Sequence, residues 1–81
     1  MPDVHLWSGL RAMADGNEMV TVEASTVGEV LTALVAAHPG LKDAIDAGVS
    51  VAVDGEIITG DRFAEVPDGA EVFLMQRVKG G

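Results

Sequence analysis

Residues 25–40, STVGEVLTALVAAHPG, contain the clearest structural signal in this chain. The apolar side chains in this stretch recur three or four positions apart, as on one face of an α-helix; they are Val27, Val30, Leu31, Leu34 and Val35. Thr26 and Glu29 have the spacing of an N-terminal capping box, and the proline of His38-Pro39-Gly40 cannot continue a helix. The stretch therefore predicts one amphipathic helix that begins after Thr26 and ends near His38.

Short segments on both sides of this helix alternate between apolar and polar residues, which is typical of β-strands. They are residues 3–8 and 18–23 before the helix, and residues 49–53, 56–59 and 71–75 after it. Residues 9–17 are interpreted as a connection between the first two strands. Asp54-Gly55 is a hairpin turn between the third strand and the fourth.

The remaining residues after the main helix predict smaller features. Residues 41–47 could form a short helix closed by Gly48, and Phe63 is expected to anchor the turn-rich segment 60–70 to the core. The order of elements, β-β-α-β-β-β, indicates the α+β class. It is the order of a β-grasp, or ubiquitin-like, fold, in which a mixed sheet packs on one main helix.

Composition restricts what the chain can do. Its 81 residues allow one domain, which we assign to residues 1–76, with a flexible tail over residues 77–81. The formal charge of −8 argues against binding to nucleic acid or to an acidic membrane surface. We find no apolar run of membrane-spanning length, no basic start of a signal peptide and no cysteine. A soluble, cytoplasmic domain is expected.

Candidate catalytic residues are few in the body of the chain. His5 lies near Asp3 and Ser8, but neighbouring strand residues point to opposite faces, which disfavours a Ser-His-Asp triad. His38 has no second metal ligand at a useful spacing. An independent enzyme with its own catalytic site is therefore not expected, and no metal site is predicted.

The sequence closes with Gly80-Gly81 a few residues after the last predicted strand. A carboxylate that is to be chemically activated must enter the active site of another protein. Two glycines suit that task, because a chain without side chains can pass through a narrow channel and adopt φ values closed to other residues. These residues predict that Gly81 carries the functional carboxylate.

The chain resembles the ubiquitin-like sulfur carriers of the MoaD/ThiS type, and among them most closely the small subunits of molybdopterin synthase. The resemblance covers nearly the whole chain and rests on the element order, on Leu10-Arg11, on the DGAEV run at residues 68–72 and on Gly80-Gly81. One stretch departs from the pattern. The relatives often have prolines or small residues where this chain has Gln76-Arg77-Val78-Lys79.

The resemblance implies a mechanism. An ATP-dependent activating enzyme of the MoeB/ThiF-like type would adenylate Gly81, and a sulfur donor would convert the adenylate to a thiocarboxylate. The tail, Arg77, Val78, Lys79 and Gly80 with Gly81, would thread into the large subunit of molybdopterin synthase and donate sulfur to a pterin precursor. The chain itself would bind no cofactor, since ATP is used by the activating enzyme.

The resemblance and the strand pattern also predict a partner interface. Val72 and Leu74 should face the helix, so Phe73 and Met75 should lie on the other side of the sheet. Trp7 should join them there if the first and last strands are neighbours, as the family implies. The predicted interface is Trp7, Leu10, Arg11, Phe73 and Met75.

Other functions fit the same residues. The sulfur acceptor could instead belong to thiamine, cysteine or tRNA thiolation, since the partner enzyme chooses it. A ubiquitin-like modifier would join Gly81 to lysines of other proteins. A non-covalent β-grasp binding module would not need the Gly81 carboxylate at all, which separates it from every covalent use.

Overall fold

The computed structural model describes residues 1–76, which form a five-stranded sheet and three α-helices. The strands are β1 (Asp3–Leu6), β2 (Met19–Thr21), β3 (Val49–Val53), β4 (Glu56–Ile58) and β5 (Glu71–Gln76). The helices are α1 (Ser8–Arg11), α2 (Val27–Ala37) and α3 (Lys42–Ala47), with short 3-10 turns at Ala12–Ala14 and Pro39–Leu41. Within these residues no helix has the length and apolar character needed to cross a membrane.

The sheet has the strand order β2-β1-β5-β3-β4. The two central strands, β1 and β5, run parallel, with Val4 beside Val72 and Leu6 beside Leu74. All other neighbours pair antiparallel. The predicted β-grasp fold is therefore confirmed, including the central pairing of the first strand with the last.

Helix α2 begins with the predicted capping box. The Thr26 hydroxyl oxygen accepts from the Glu29 backbone N–H at 3.2 Å. The Glu29 carboxylate in turn accepts from the backbone N–H and the hydroxyl of Ser25, each at 2.8 Å. These bonds, above all the one from the Ser25 backbone, hold the pKa of Glu29 below its usual value.

The core lies between α2 and one face of the sheet. Its central members are fully or almost fully buried; they are Val4, Leu6, Val30, Leu34, Val72 and Leu74. Leu31 and Val35, at the edge of the predicted helix face, are half-buried. Val72 and Leu74 face the helix as predicted, so their neighbours on β5 project from the opposite face of the sheet.

The expectation that Phe63 anchors the core is wrong, because its side chain is 89% exposed. Val66 occupies the buried position on this segment instead. The carbonyl groups of Arg62 and Ala64 accept from the first N–H groups of α2, at 2.9 and 3.0 Å. The backbone on both sides of Phe63 is thereby tied to the helix, and the side chain between the two bonds points outward.

The connection over residues 9–17 also differs from the prediction, because it contains α1 and the Ala12–Ala14 turn. Leu6, Leu10 and Ala14, spaced four apart, are all buried. Leu6 ends β1, whereas Leu10 lies on α1 and Ala14 in the 3-10 turn after it. The four-residue step from Leu10 to Ala14 is therefore the local signal of helical structure in this connection. The short helix α3, with Gly48 at φ 117° after it, agrees with the sequence interpretation.

Candidate functional site

The face of the sheet turned away from α2 carries one side chain per strand in a single row. The strand register aligns Met19, His5, Phe73, Ala52 and Ile57 across it, and we call these five residues the apolar row. Four of the five are apolar. The end members, Met19 and Ile57, are 46% and 64% exposed, so the row offers a surface on which another protein could pack.

The middle of the apolar row is a stacked pair. The rings of His5 and Phe73 lie 4.8 Å apart at 19°. The His5 Nε2 atom is buried and has no hydrogen-bond partner among the described residues. An unsatisfied buried polar atom is uncommon and destabilising.

The possible triad of Asp3, His5 and Ser8 does not form within residues 1–76. The Asp3 carboxylate accepts from the Thr21 hydroxyl at 2.8 Å, on the strand beside it, whereas His5 stacks on Phe73. His38 lies at the end of α2, with its Nδ1 3.1 Å from the Asp15 carboxylate. The described part of the chain holds no cluster of potential ligands that could bind a metal ion.

Trp7 lies where β1 ends, next to the last residues of β5. Its backbone N–H donates to the Leu74 carbonyl at 3.2 Å, and its side chain is 56% exposed. Phe73 and Met75 are half-buried on the face away from α2. Strand alternation predicted that Trp7, Phe73 and Met75 lie on the same side of the sheet, and the structure agrees. Their contact with a partner stays a prediction.

Leu10 cannot belong to a partner interface, contrary to the expectation, because it is fully buried in the core. Helix α1 turns it inward, one turn after the exposed Trp7. Arg11 is half-buried, and its Nε donates to the Leu6 carbonyl at 2.8 Å. Its guanidinium also lies 3.9 Å from the Glu18 carboxylate. Arg11 therefore holds α1 against the end of β1.

Gln76 is the last residue of β5. The Gln76 side-chain amide occupies the space that a Cβ atom on Gly9 would need. The absence of a side chain at Gly9 thus lets Gln76 pack against α1. The residues predicted to form the functional tail lie outside the described residues; they are Arg77, Val78, Lys79, Gly80 and Gly81.

Residues 1–76 are strongly acidic as a whole. Residues 1–76 contain 3 of the 5 basic residues and all 13 acidic ones, so they carry 3 − 13 = −10 formal charges. A field of one sign speeds association with a partner of the opposite sign. A domain of this net charge that carries the apolar row suits docking to a basic protein surface.

Comparison with protein families and solved structures gives a consistent result. The sequence model of one family, described as the ThiS family, matches residues 4–81. No protein of curated function matches the chain. SAMP1, the small archaeal modifier protein 1 of Haloferax volcanii, is 31% identical with a TM-score of 0.81, and the match covers 99% of this chain and 98% of that one.

Two further solved structures are similar. The BexX/CysO complex of Amycolatopsis orientalis contains a chain that is 26% identical, with a TM-score of 0.84 and full coverage of both chains. A protein described as a putative molybdopterin converting factor, subunit 1, from Pyrococcus furiosus is 22% identical with a TM-score of 0.80. That match covers 95% of this chain and 97% of the other, and at this identity it supports the fold alone.

Proposed function

The chain belongs to the ThiS family of ubiquitin-like sulfur carriers, and we propose that it carries sulfur as a thiocarboxylate on Gly81. One observation carries this proposal: the family match extends through Gly80-Gly81, past the end of the central strand β5.

The chemistry starts from a poor electrophile. A C-terminal carboxyl has a pKa of about 3.3 and is an anion at neutral pH. We propose that an ATP-dependent activating enzyme joins it to AMP and releases pyrophosphate. The sulfur of a persulfide donor then attacks the acyl carbon, the bond to the AMP oxygen breaks, and a thiol reduces the resulting acyl disulfide to the thiocarboxylate. ATP is bound by the enzyme, and the carrier needs no cofactor of its own.

The fold supports docking that delivers the tail. Because β5 is a central strand, its end opens beside Trp7 and the apolar row. A partner that covers this surface would lie next to Gln76, the residue before the proposed tail. Five extended residues span at most roughly 17 Å, which is enough to reach a buried active site.

For the sulfur acceptor we propose a pterin precursor of the molybdenum cofactor, with this chain as the small, sulfur-donating subunit of molybdopterin synthase. The DGAEV run at residues 68–72 and the Gly80-Gly81 pair support this choice. The large subunit would cover the apolar row and supply the catalytic pocket. We place the reaction in the cytoplasm, where ATP-dependent activation takes place.

The test is intact mass spectrometry of the purified chain after incubation with ATP, an activating enzyme and a sulfur source. The mass should rise by the exchange of one oxygen for sulfur. Deletion of Gly81 should abolish the rise, whereas Val78→Ala, which leaves both glycines in place, should retain it. Full loading of the truncated chain would refute the carrier function. Loss of the added mass on incubation with the large subunit and the pterin precursor would identify the acceptor.

A second candidate is a protein modifier joined to lysines through Gly81. It is favoured by the 31% identity over nearly the whole chain to a protein described as a modifier. Peptide mapping after digestion would distinguish the two, because a modifier leaves an isopeptide bond on lysine side chains. Conjugates formed without sulfur transfer to the pterin precursor would favour the modifier.

A further inference from the structure

The end of β5 extends beyond the end of its neighbour β1. The parallel register of these strands ends with Leu6 beside Leu74, and the chain then enters α1 at Ser8. Among the described residues, Met75 and Gln76 therefore pair with β3 on one side but with no strand on the other. Helix α1 contacts β5, so the end of β5 lies near a helix where the rest of the strand has β1.

The side chain of Gln76 reaches α1 at Gly9. A Cβ atom at position 9 would lie 3.1 Å from the Cδ atom and 3.7 Å from the Nε2 atom of Gln76, and closer still to its Oε1 atom. The three atoms outside α1 that are nearest to that position all belong to Gln76. A side chain at position 9 would therefore have to displace the Gln76 amide.

Backbone conformation does not explain a glycine at position 9. Gly9 is not among the residues with positive φ, so alanine could adopt the same conformation. Glycine is also a poorer helix former than alanine, and Gly9 lies inside α1. The close approach of Gln76 is therefore the feature of the structure that requires glycine here.

Helix α1 gives the Gln76 side chain a fixed surface to pack on. The Leu10 side chain is fully buried in the core, and the Arg11 Nε donates to the Leu6 carbonyl at 2.8 Å. On the other side of Gln76, Val49 is its partner in the antiparallel register of β3 and β5. Gln76 is thus located by a strand on one side and by a helix anchored in the core on the other.

We propose that Gln76 is a positioning residue that fixes where the proposed tail begins, and that Gly9 makes room for it. The first tail residue is bonded to the carbonyl carbon of Gln76, so a held Gln76 backbone sets the starting point of the tail relative to the apolar row. No proline of this chain lies after residue 67, so the tail sequence lacks the restriction that a proline ring would give.

The consequence concerns the rate at which Gly81 reacts. A partner that covers the apolar row would find the Gly81 carboxylate within a smaller volume, because one end of the tail is fixed in place. Holding a reacting group near its productive position raises the rate of the chemical step. This inference rests on the proposed function, since it requires Gly81 to react in the active site of a partner.

The test is the rate of sulfur loading by the activating enzyme, followed by intact mass spectrometry over a range of carrier concentrations. Gly9→Ala should lower kcat by about threefold to tenfold and leave KM nearly unchanged, because the apolar row is intact. Gln76→Ala should have the same effect, since it removes the same contact. Gln76→Met, with a side chain of equal length, should restore most of the rate. Ser8→Ala, at an exposed position next to Gly9 on α1, is the matched control and should keep the kcat of the wild type.

The double variant and a measurement without a partner make the test specific. Gly9→Ala combined with Gln76→Ala should be no slower than either single variant, because both remove one contact. The NMR order parameter of the Gln76 backbone amide should fall in Gly9→Ala and stay unchanged in Ser8→Ala.

Three results would overturn the inference: an unchanged kcat in Gly9→Ala, losses that multiply in the double variant, or an unchanged order parameter at Gln76. Each of them leaves the proposed function standing as long as the wild-type chain gains sulfur. A wild-type chain that gains no sulfur would refute the proposed function itself, and this inference with it.

Discussion

Leu74 and Phe73 are neighbours on β5 that project from opposite faces of the sheet, and replacing each by alanine should separate folding from docking. Leu74 is fully buried in the core. A Leu→Ala change at such a site costs about 2–5 kcal/mol, from lost burial and the cavity left behind. A domain of 81 residues has a total stability of roughly 4–12 kcal/mol, so Leu74→Ala should remove a large part of it.

Phe73→Ala should lower the free energy of unfolding less than Leu74→Ala does, because Phe73 is only half-buried and its removal leaves no closed cavity. Partial burial of the ring contributes about 1 kcal/mol, and the stack on His5 adds about 0.5–1.5 kcal/mol. The expected loss is therefore roughly 1.5–2.5 kcal/mol. If the apolar row docks on a partner, the same change should weaken binding to the activating enzyme by about 2 kcal/mol, or roughly 30-fold.

Urea denaturation followed by the fluorescence of Trp7, the single tryptophan, measures the loss of stability in each variant. Calorimetric titration with the activating enzyme measures the change in binding affinity. A loss of stability in Phe73→Ala as large as that in Leu74→Ala would refute the assignment of faces. Unchanged partner affinity in a folded Phe73→Ala variant would instead refute the docking role of the apolar row.

Three further changes test how α2 is held. Thr26→Ala should lower stability by about 1 kcal/mol through loss of the N-cap, measurable as a lower melting temperature. Hydrogen bonds from Ser25 hold the pKa of Glu29 below its ordinary 4.5 in the folded state. The stabilisation that the ionised Glu29 carboxylate provides is therefore fully present above pH 4.5 and is lost as the pH falls through the lower pKa of the folded state. Glu29→Gln should reduce this loss of stability on the acid side, measured as the melting temperature at a series of pH values. Gly40→Ala should destabilise by about 1–3 kcal/mol, since its Cβ would lie 2.8 Å from the Met13 carbonyl oxygen. An unchanged melting temperature in that variant would show that the backbone can yield there.

Much of the candidate site could be predicted from local patterns. Strand alternation places Phe73 and Met75 on the face away from the helix, and the structure agrees. It could not reveal the full apolar row, because the row is formed by register between five strands from distant parts of the chain. The resemblance predicted an interface role for Leu10, but Leu10 is fully buried. The four-residue step from Leu10 to Ala14, within consecutive helical turns, is the local signal of that burial.

Local sequence accounts for the features whose physical cause lies within a few residues. The capping box of α2, its apolar face and its end at His38 arise from neighbours along the helix. The hairpin at Asp54-Gly55 arises from two residues with positive φ. Each of these needs only local hydrogen bonds and local steric limits.

Other features depend on contacts between distant residues and became visible only in three dimensions. The parallel pairing of Val4 with Val72 joins the two ends of the domain. The outward position of Phe63 results from two hydrogen bonds between its loop and the start of α2. The apolar character of Phe63 predicted burial, but a backbone held on both sides fixes where a side chain points, and Val66 fills the core in its place.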